Sequence, residues 1–160
     1  MTTRSNDAAT QANDDRVLIV TRVFDAPRAL VYAAWTEPER MKQWMGPRDY
    51  PAVHQEGEFR PGGHWRACLR SVKDGHDLWQ GGVYKEIVPP ERLVFTFAWD
   101  REDRTTGHEM LVTLTFEDYG AGKTKMILRQ ELFESVESRD GHNFGWNSCF
   151  DRLAEYLHSV

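Results

Sequence analysis

The sequence predicts one α+β domain: a curved, seven-stranded antiparallel sheet wrapped around a long C-terminal helix, with two short helices between the first two strands. The grounds are periodicity and punctuation. From Tyr50 to Phe133 apolar residues alternate with polar ones, the period of strands. Turn signals cut that stretch at Arg60-Pro61-Gly62-Gly63, Lys73-Asp74-Gly75, Pro89-Pro90, Arg104-Thr105-Thr106-Gly107 and Tyr119-Gly120-Ala121-Gly122. The last segment returns to a helical period, with Trp146, Phe150, Leu153 and Leu157 at spacings of four, three and four along one stripe.

Met1 to Asp15 are polar and small without periodicity, too poor in apolar surface to offset the entropy of ordering, so a disordered tail is expected and the domain is taken as residues 16–160. Arg16 to Phe24 is rich in β-branched residues and predicts the first strand. Asp25-Ala26-Pro27 stops it and sets up a helix start, with Asp25 as cap and Pro27 in the first turn. Across Arg28 to Trp35 the apolar Val31, Ala34 and Trp35 fall three and four apart, a first short helix. Thr36 with Glu39 forms a capping-box pattern for a second, which ends near Trp44 before Gly46-Pro47.

Six further strands follow: Val53 to Glu58, His64 to Ser71, Leu78 to Val88, Arg92 to Trp99, Glu109 to Asp118 and Lys123 to Phe133. In the last three, Leu93, Phe95, Phe97 and Trp99, then Val112, Leu114 and Phe116, then Met126, Leu128, Gln130 and Leu132 share one parity, while Thr113, Thr115, Lys125, Arg129 and Glu131 hold the other. One face of the sheet is therefore apolar. The helix predicted over Val136 to His158 lies across that face, because an apolar sheet face of such size left in water aggregates.

Composition narrows the function. A chain of 160 residues, 40% hydrophobic, supports one core without staples, burying roughly 68–70% of its unfolded surface. With 20 basic against 25 acidic residues, a net charge of -5 and no Lys/Arg-rich run, it lacks the electrostatic footprint of a nucleic-acid binder. Cys68 and Cys149 form no CxxC pattern and no secretion signal opens the chain, so a reduced, cytoplasmic protein is expected. No apolar run approaches the roughly 20 residues that cross a bilayer, so no membrane insertion is expected. The histidines, at 54, 64, 76, 108, 142 and 158, show no metal-binding spacing, and neither metal nor cofactor is indicated. Gly62-Gly63 and Gly81-Gly82 lack a following helix and fit strand bending rather than phosphate cradling.

Aromatic residues make up 12% of the chain, which means either a ring-packed core or a ring-lined pocket. A helix laid over a curved sheet leaves space beside it, and the leading expectation is a cavity for a small hydrophobic or amphipathic molecule. Its expected walls are Trp65, Phe95, Phe97, Met110, Val112 and Leu128 from the sheet and Trp146, Cys149 and Phe150 from the helix, with Trp44 near the opening. The same rings are equally the ordinary filling of a core. Gln130 falls on the apolar parity, so its amide either orients a ligand or is satisfied by a neighbour. His142 and Cys149 lie seven apart on the last helix and can face the same cavity, but about 10 Å of helix rise separates them, too far for a nucleophile–base hydrogen bond. No catalytic residue is assigned. Glu86 and Arg92 bracket Pro89-Pro90 as a surface ion pair.

Several phrases match a known family in type and order. They are Phe24-Asp25-Ala26-Pro27, Ala34-Trp35-Thr36-Glu37-Pro38, Trp44 before Gly46-Pro47, Arg60-Pro61-Gly62-Gly63-His64-Trp65, Gly82-Val83-Tyr84-Lys85-Glu86-Ile87, Pro89-Pro90-Glu91-Arg92-Leu93, Gly145-Trp146 and Asp151-Arg152-Leu153-Ala154-Glu155-Tyr156-Leu157. Together they resemble the family of the activator of heat-shock protein 90 ATPase homologue, within the START-like, pollen-allergen-like (SRPBCC) superfamily. Met45 stands where members often carry a second Trp. The resemblance implies the helix-grip fold. That superfamily contains lipid carriers, hormone receptors, polyketide aromatases and co-chaperone domains, so fold alone leaves the activity open. Beside the non-catalytic binder, the resemblance implies two alternatives: a co-chaperone of the stress response that stimulates a chaperone ATPase, and a cyclase or aromatase-like enzyme. The sequence leaves the oligomeric state open.

Overall fold

The computed structural model describes residues 15–160. The tail expected over Met1 to Asp15 lies outside the described residues except for Asp15 itself. Along the chain come β1 (Leu18–Phe24), α1 (Arg28–Thr36), α2 (Pro38–Met41), β2 (Ala52–Gly57), β3 (His64–Arg70), β4 (Asp77–Val88), β5 (Arg92–Trp99), β6 (Met110–Asp118), β7 (Thr124–Glu131) and α3 (Val136–Ser159). The strands form one seven-stranded antiparallel sheet in the order β1-β7-β6-β5-β4-β3-β2. Consecutive strands β1 and β2 thus occupy opposite edges, and α1 and α2 carry the chain between them.

The helix starts differ from the capping read in the sequence. Asp25 does not cap α1: Pro27 does, in an extended conformation without a side-chain bond, and its carbonyl accepts from Leu30 and Val31 at 3.0 and 3.1 Å. Nor does the Thr36–Glu39 box form. The Thr36 hydroxyl donates back to the Tyr32 carbonyl at 3.1 Å, and α2 starts on Pro38, whose missing N–H would lack a helical partner anyway. That helix stops at Met41, and turns continue to Trp44. For α3, Ser135 is the cap, accepting from the Ser138 N–H at 3.0 Å.

Register places the apolar parity on the face under α3. Leu93, Phe95 and Phe97 of β5 pair with Leu114, Val112 and Met110 of β6, and Leu114 and Val112 pair in turn with Leu128 and Gln130 of β7. The buried stripe of α3 is Trp146, Cys149, Phe150, Leu153 and Leu157. Trp35 of α1 enters between sheet and helix, its ring centroid 4.8 Å from Trp44, 5.9 Å from Trp146 and 6.1 Å from Phe150. Its indole N–H points at the Met126 sulfur, 3.2 Å away. This cluster fills the middle of the grip solidly, each ring contributing about 1.5–3 kcal/mol or more by burial. On β4, Gly82 admits the Trp65 indole: a Cβ there would lie 2.7 Å from Trp65 Nε1 and 1.8 Å from the Thr96 carbonyl oxygen. Trp65 donates to that same carbonyl at 3.1 Å.

Candidate ligand site

Where the ring cluster stops, a hollow of about 200 Å³ remains between the β3–β5 side of the sheet and the first half of α3. Its floor is Leu69 from β3, Leu78 and Gln80 from β4, and Phe97 and Trp99 from β5. Its roof is Gly141, His142, Gly145, Trp146 and Cys149, and the Met45-Gly46-Pro47 segment with Tyr50 closes one side. Among the described residues, no Asp, Glu, Lys or Arg borders it. A smaller hollow of about 20 Å³ lies deeper, bordered by Trp35, Trp65, Tyr84 and Phe95; Met45, Gln80, Phe97 and Trp146 border both.

The opening follows from two helix residues without side chains. Gly141 is exposed and Gly145 half-buried, and one helical turn separates them on the same face. A Cβ at Gly141 would meet nothing within 4 Å, and one at Gly145 would meet only Pro47 Cγ at 3.8 Å. Arg152 holds the opposite lip. Its guanidinium donates to the carbonyls of Met45 and Gly46 at 2.8 Å each and of Gln43 at 3.3 Å, fastening that segment to α3.

The polar groups around the hollow are neutral. His142 accepts from the Trp99 indole N–H at its Nε2, 3.1 Å away, which assigns its proton to Nδ1. Its ring sits edge-on to Phe97 and Phe133, and burial pushes its pKa down to about 4. Burial likewise pushes the Cys149 thiol up to about 12. Near neutral pH the two therefore stand as imidazole and thiol, and no thiolate is generated.

Residues expected at the site part into groups. Phe97, His142, Trp146 and Cys149 border the larger hollow, and Trp65 and Phe95 border the smaller. Met110, Val112, Leu128 and Phe150 border neither; they belong to the buried core. Trp44 is fully buried rather than beside an opening, because its indole N–H is held by the Ala34 carbonyl at 3.1 Å. Gln130 also borders neither hollow. Its Oε1 accepts from the Trp146 indole N–H at 2.7 Å and its Nε2 faces the Met110 sulfur at 3.4 Å, so it is a satisfied amide that sets the orientation of Trp146.

Sequence reasoning passed over Gln80, Gly141 and Gly145. Gln80 carries the same signal as Gln130, an amide on the inward parity of its strand, shared with Leu78. Among the described residues, no group of three or more His, Cys, Asp or Glu is placed to hold a metal, and no helix is long and apolar enough to cross a membrane.

Comparison with known proteins bears on the family and the fold. The family model described as Activator of Hsp90 ATPase homolog 1-like protein matches residues 25–158. The chain belongs to this family. Among solved structures, a protein from Chromobacterium violaceum superposes with a TM-score of 0.81 at 25% identity, covering 89% of this chain and 96% of that one. The AHSA1 protein of Silicibacter pomeroyi gives 0.80 at 23% identity, with 89% and 97% covered. A protein from Arthrobacter aurescens gives 0.82 at 22%, with 92% and 88% covered. The helix-grip architecture is therefore shared along nearly the whole described chain. No curated protein matches it.

Proposed function

We propose that this protein is a non-catalytic binder of a small, uncharged apolar or amphipathic molecule, held in the hollow between the sheet and α3. The observation that carries the reading is the wall set: rings, aliphatic groups, an amide and a thiol, with no ionised side chain among the described residues, beside two helix glycines. Size limits the guest. An apolar cavity of roughly 150 Å³ holds a benzene ring, so about 200 Å³ takes one ring with a small substituent. Burying about 150 Å² of ring surface at ~25 cal/mol per Å² contributes roughly 4 kcal/mol, which places an unadorned ring near a millimolar Kd.

The Nε2 of neutral His142 is already taken by the Trp99 indole N–H and its lowered pKa makes it a weak base, while the protonated thiol of Cys149 is a poor nucleophile near pH 7, which supports binding over a cyclase-like reaction. The family's name points to a chaperone partner; that reading draws on the name and not on this cavity. Toluene titrated into the protein tests the proposal, with Trp99 and Trp146 in the wall as fluorescence reporters. A saturable signal that disappears in Gly145→Phe is expected. Absence of saturable binding up to the solubility limit of toluene overturns it.

A further inference from the structure

Gln80 is the most informative group in the cavity. It is 3% exposed, and among the described residues its amide makes no hydrogen bond, whereas Gln130, equally inward, is fully engaged. Its neighbours in the sheet do not satisfy it. Across β3 it faces Ala67, which has nothing to offer, and across β5 it faces Trp99, whose only donor is turned to His142. The amide is not sealed off: among the described residues the one buried side-chain polar atom without a partner is Gln55 Oε1, and Gln80 keeps its bonding capacity for what enters the hollow. The side chain borders both hollows, so whatever occupies them meets it.

We infer that Gln80 recognises a hydroxyl on a single-ring guest, so that the ligand class is an uncharged, phenol-type molecule. This rests on the binding function proposed above. The amide presents one acceptor and one donor side by side, and a hydroxyl both donates and accepts, so one group can satisfy both ends. A carboxylate is disfavoured because, among the described residues, no cation borders the hollow to replace its lost hydration. An ammonium is disfavoured for the same reason, with no anion among the described residues there. The volume leaves space for the ring, its hydroxyl and little else.

The test compares each ligand between proteins, since phenol and toluene differ in hydration but hardly in shape. Calorimetric titration of the full chain with phenol, toluene and benzoate is run on the wild type and on Gln80→Met. We expect the variant to weaken phenol about tenfold, equivalent to about 1.4 kcal/mol. Toluene should stay within threefold, and benzoate at pH 7 should bind the wild type at least tenfold more weakly than phenol. Unchanged phenol affinity in the variant overturns the inference while leaving the cavity reading intact, and so does an equal loss of phenol and toluene. Failure of both ligands to bind the wild type overturns the cavity reading and the inference with it. A second measurement needs no variant: the Gln80 side-chain amide protons of the wild type should exchange with water more slowly with phenol bound than with toluene bound, and equal exchange overturns the assignment.

Discussion

Replacing Gly141 and Gly145 together by Ala should make the protein more stable and its hollow harder to reach. Both lie inside α3 with ordinary helical backbone, neither being among the positive-φ glycines. Both have room for a methyl group: the nearest contact, Pro47 Cγ at 3.8 Å from a Cβ on residue 145, is an ordinary van der Waals distance. Glycine in a helix interior costs about 0.5–1 kcal/mol relative to alanine, so the double substitution should contribute about 1–2 kcal/mol. For a chain of this size each kcal/mol moves the melting temperature by about 2–4 °C, giving a rise of roughly 2–8 °C in calorimetry. The urea midpoint should rise without a change in slope. The two methyl groups narrow the opening, so toluene should associate more slowly even as the fold strengthens. An unchanged or lowered melting temperature would show that these glycines serve the backbone rather than the opening, and unaltered association would show that ligands enter elsewhere.

Three further outcomes follow from the site. An unfolded imidazole takes up a proton near pH 6.5, whereas folded His142 resists until about pH 4, so the stability tied to its neutral form is complete above about pH 6.5 and is lost as the pH falls towards 4. The loss by pH 4 is about 2–3 kcal/mol; urea midpoints at pH 7, 5.5 and 4 should fall less steeply in His142→Phe, and parallel profiles would refute the assignment. Trp146→Ala removes a buried ring and strands Gln130, and should cost about 3–5 kcal/mol in denaturant melts; a cost below about 1 kcal/mol would contradict its packing. Arg152→Met leaves three carbonyls at the lip without their donor and should cost about 1–3 kcal/mol, with increased hydrogen exchange along residues 43–46 as the readout; unchanged exchange would mean that the lip is held by other contacts.

The strands were legible because one parity of β5, β6 and β7 is apolar almost without exception, and a stripe such as Trp146, Phe150, Leu153 and Leu157 has no other use than burial. Their ends were less so. The last strand stops at Glu131, short of the expected Phe133, because Leu132 turns to a φ of 69° and leaves the ladder. The helix caps misled because Pro27 and Pro38 preset the backbone, making the side-chain bonds of Asp25 and Thr36 unnecessary. The cavity's position was not legible. It depends on where Trp35 of α1 stops filling the grip, a contact between distant segments that no local pattern encodes. Gln80 was hidden by its neighbour: Trp79 suggests the opposite parity as the inward one, yet it packs on the outer face beneath the Arg66 guanidinium, 5.2 Å from its ring.

The sheet order has a kinetic consequence. Among the described residues the edge strand β1 finds its one strand partner in β7, with Leu18 set against Gln130, so β1 must wait for the last strand. Such distant pairings close slowly, because a long loop loses its freedom before any contact compensates, and folding in milliseconds to seconds rather than microseconds is the expectation. The hollow itself arrives last of all: a growing chain that has built β2 through β5 has a floor but no roof, and its apolar floor stays open to water, and to other apolar surfaces, until α3 settles across it.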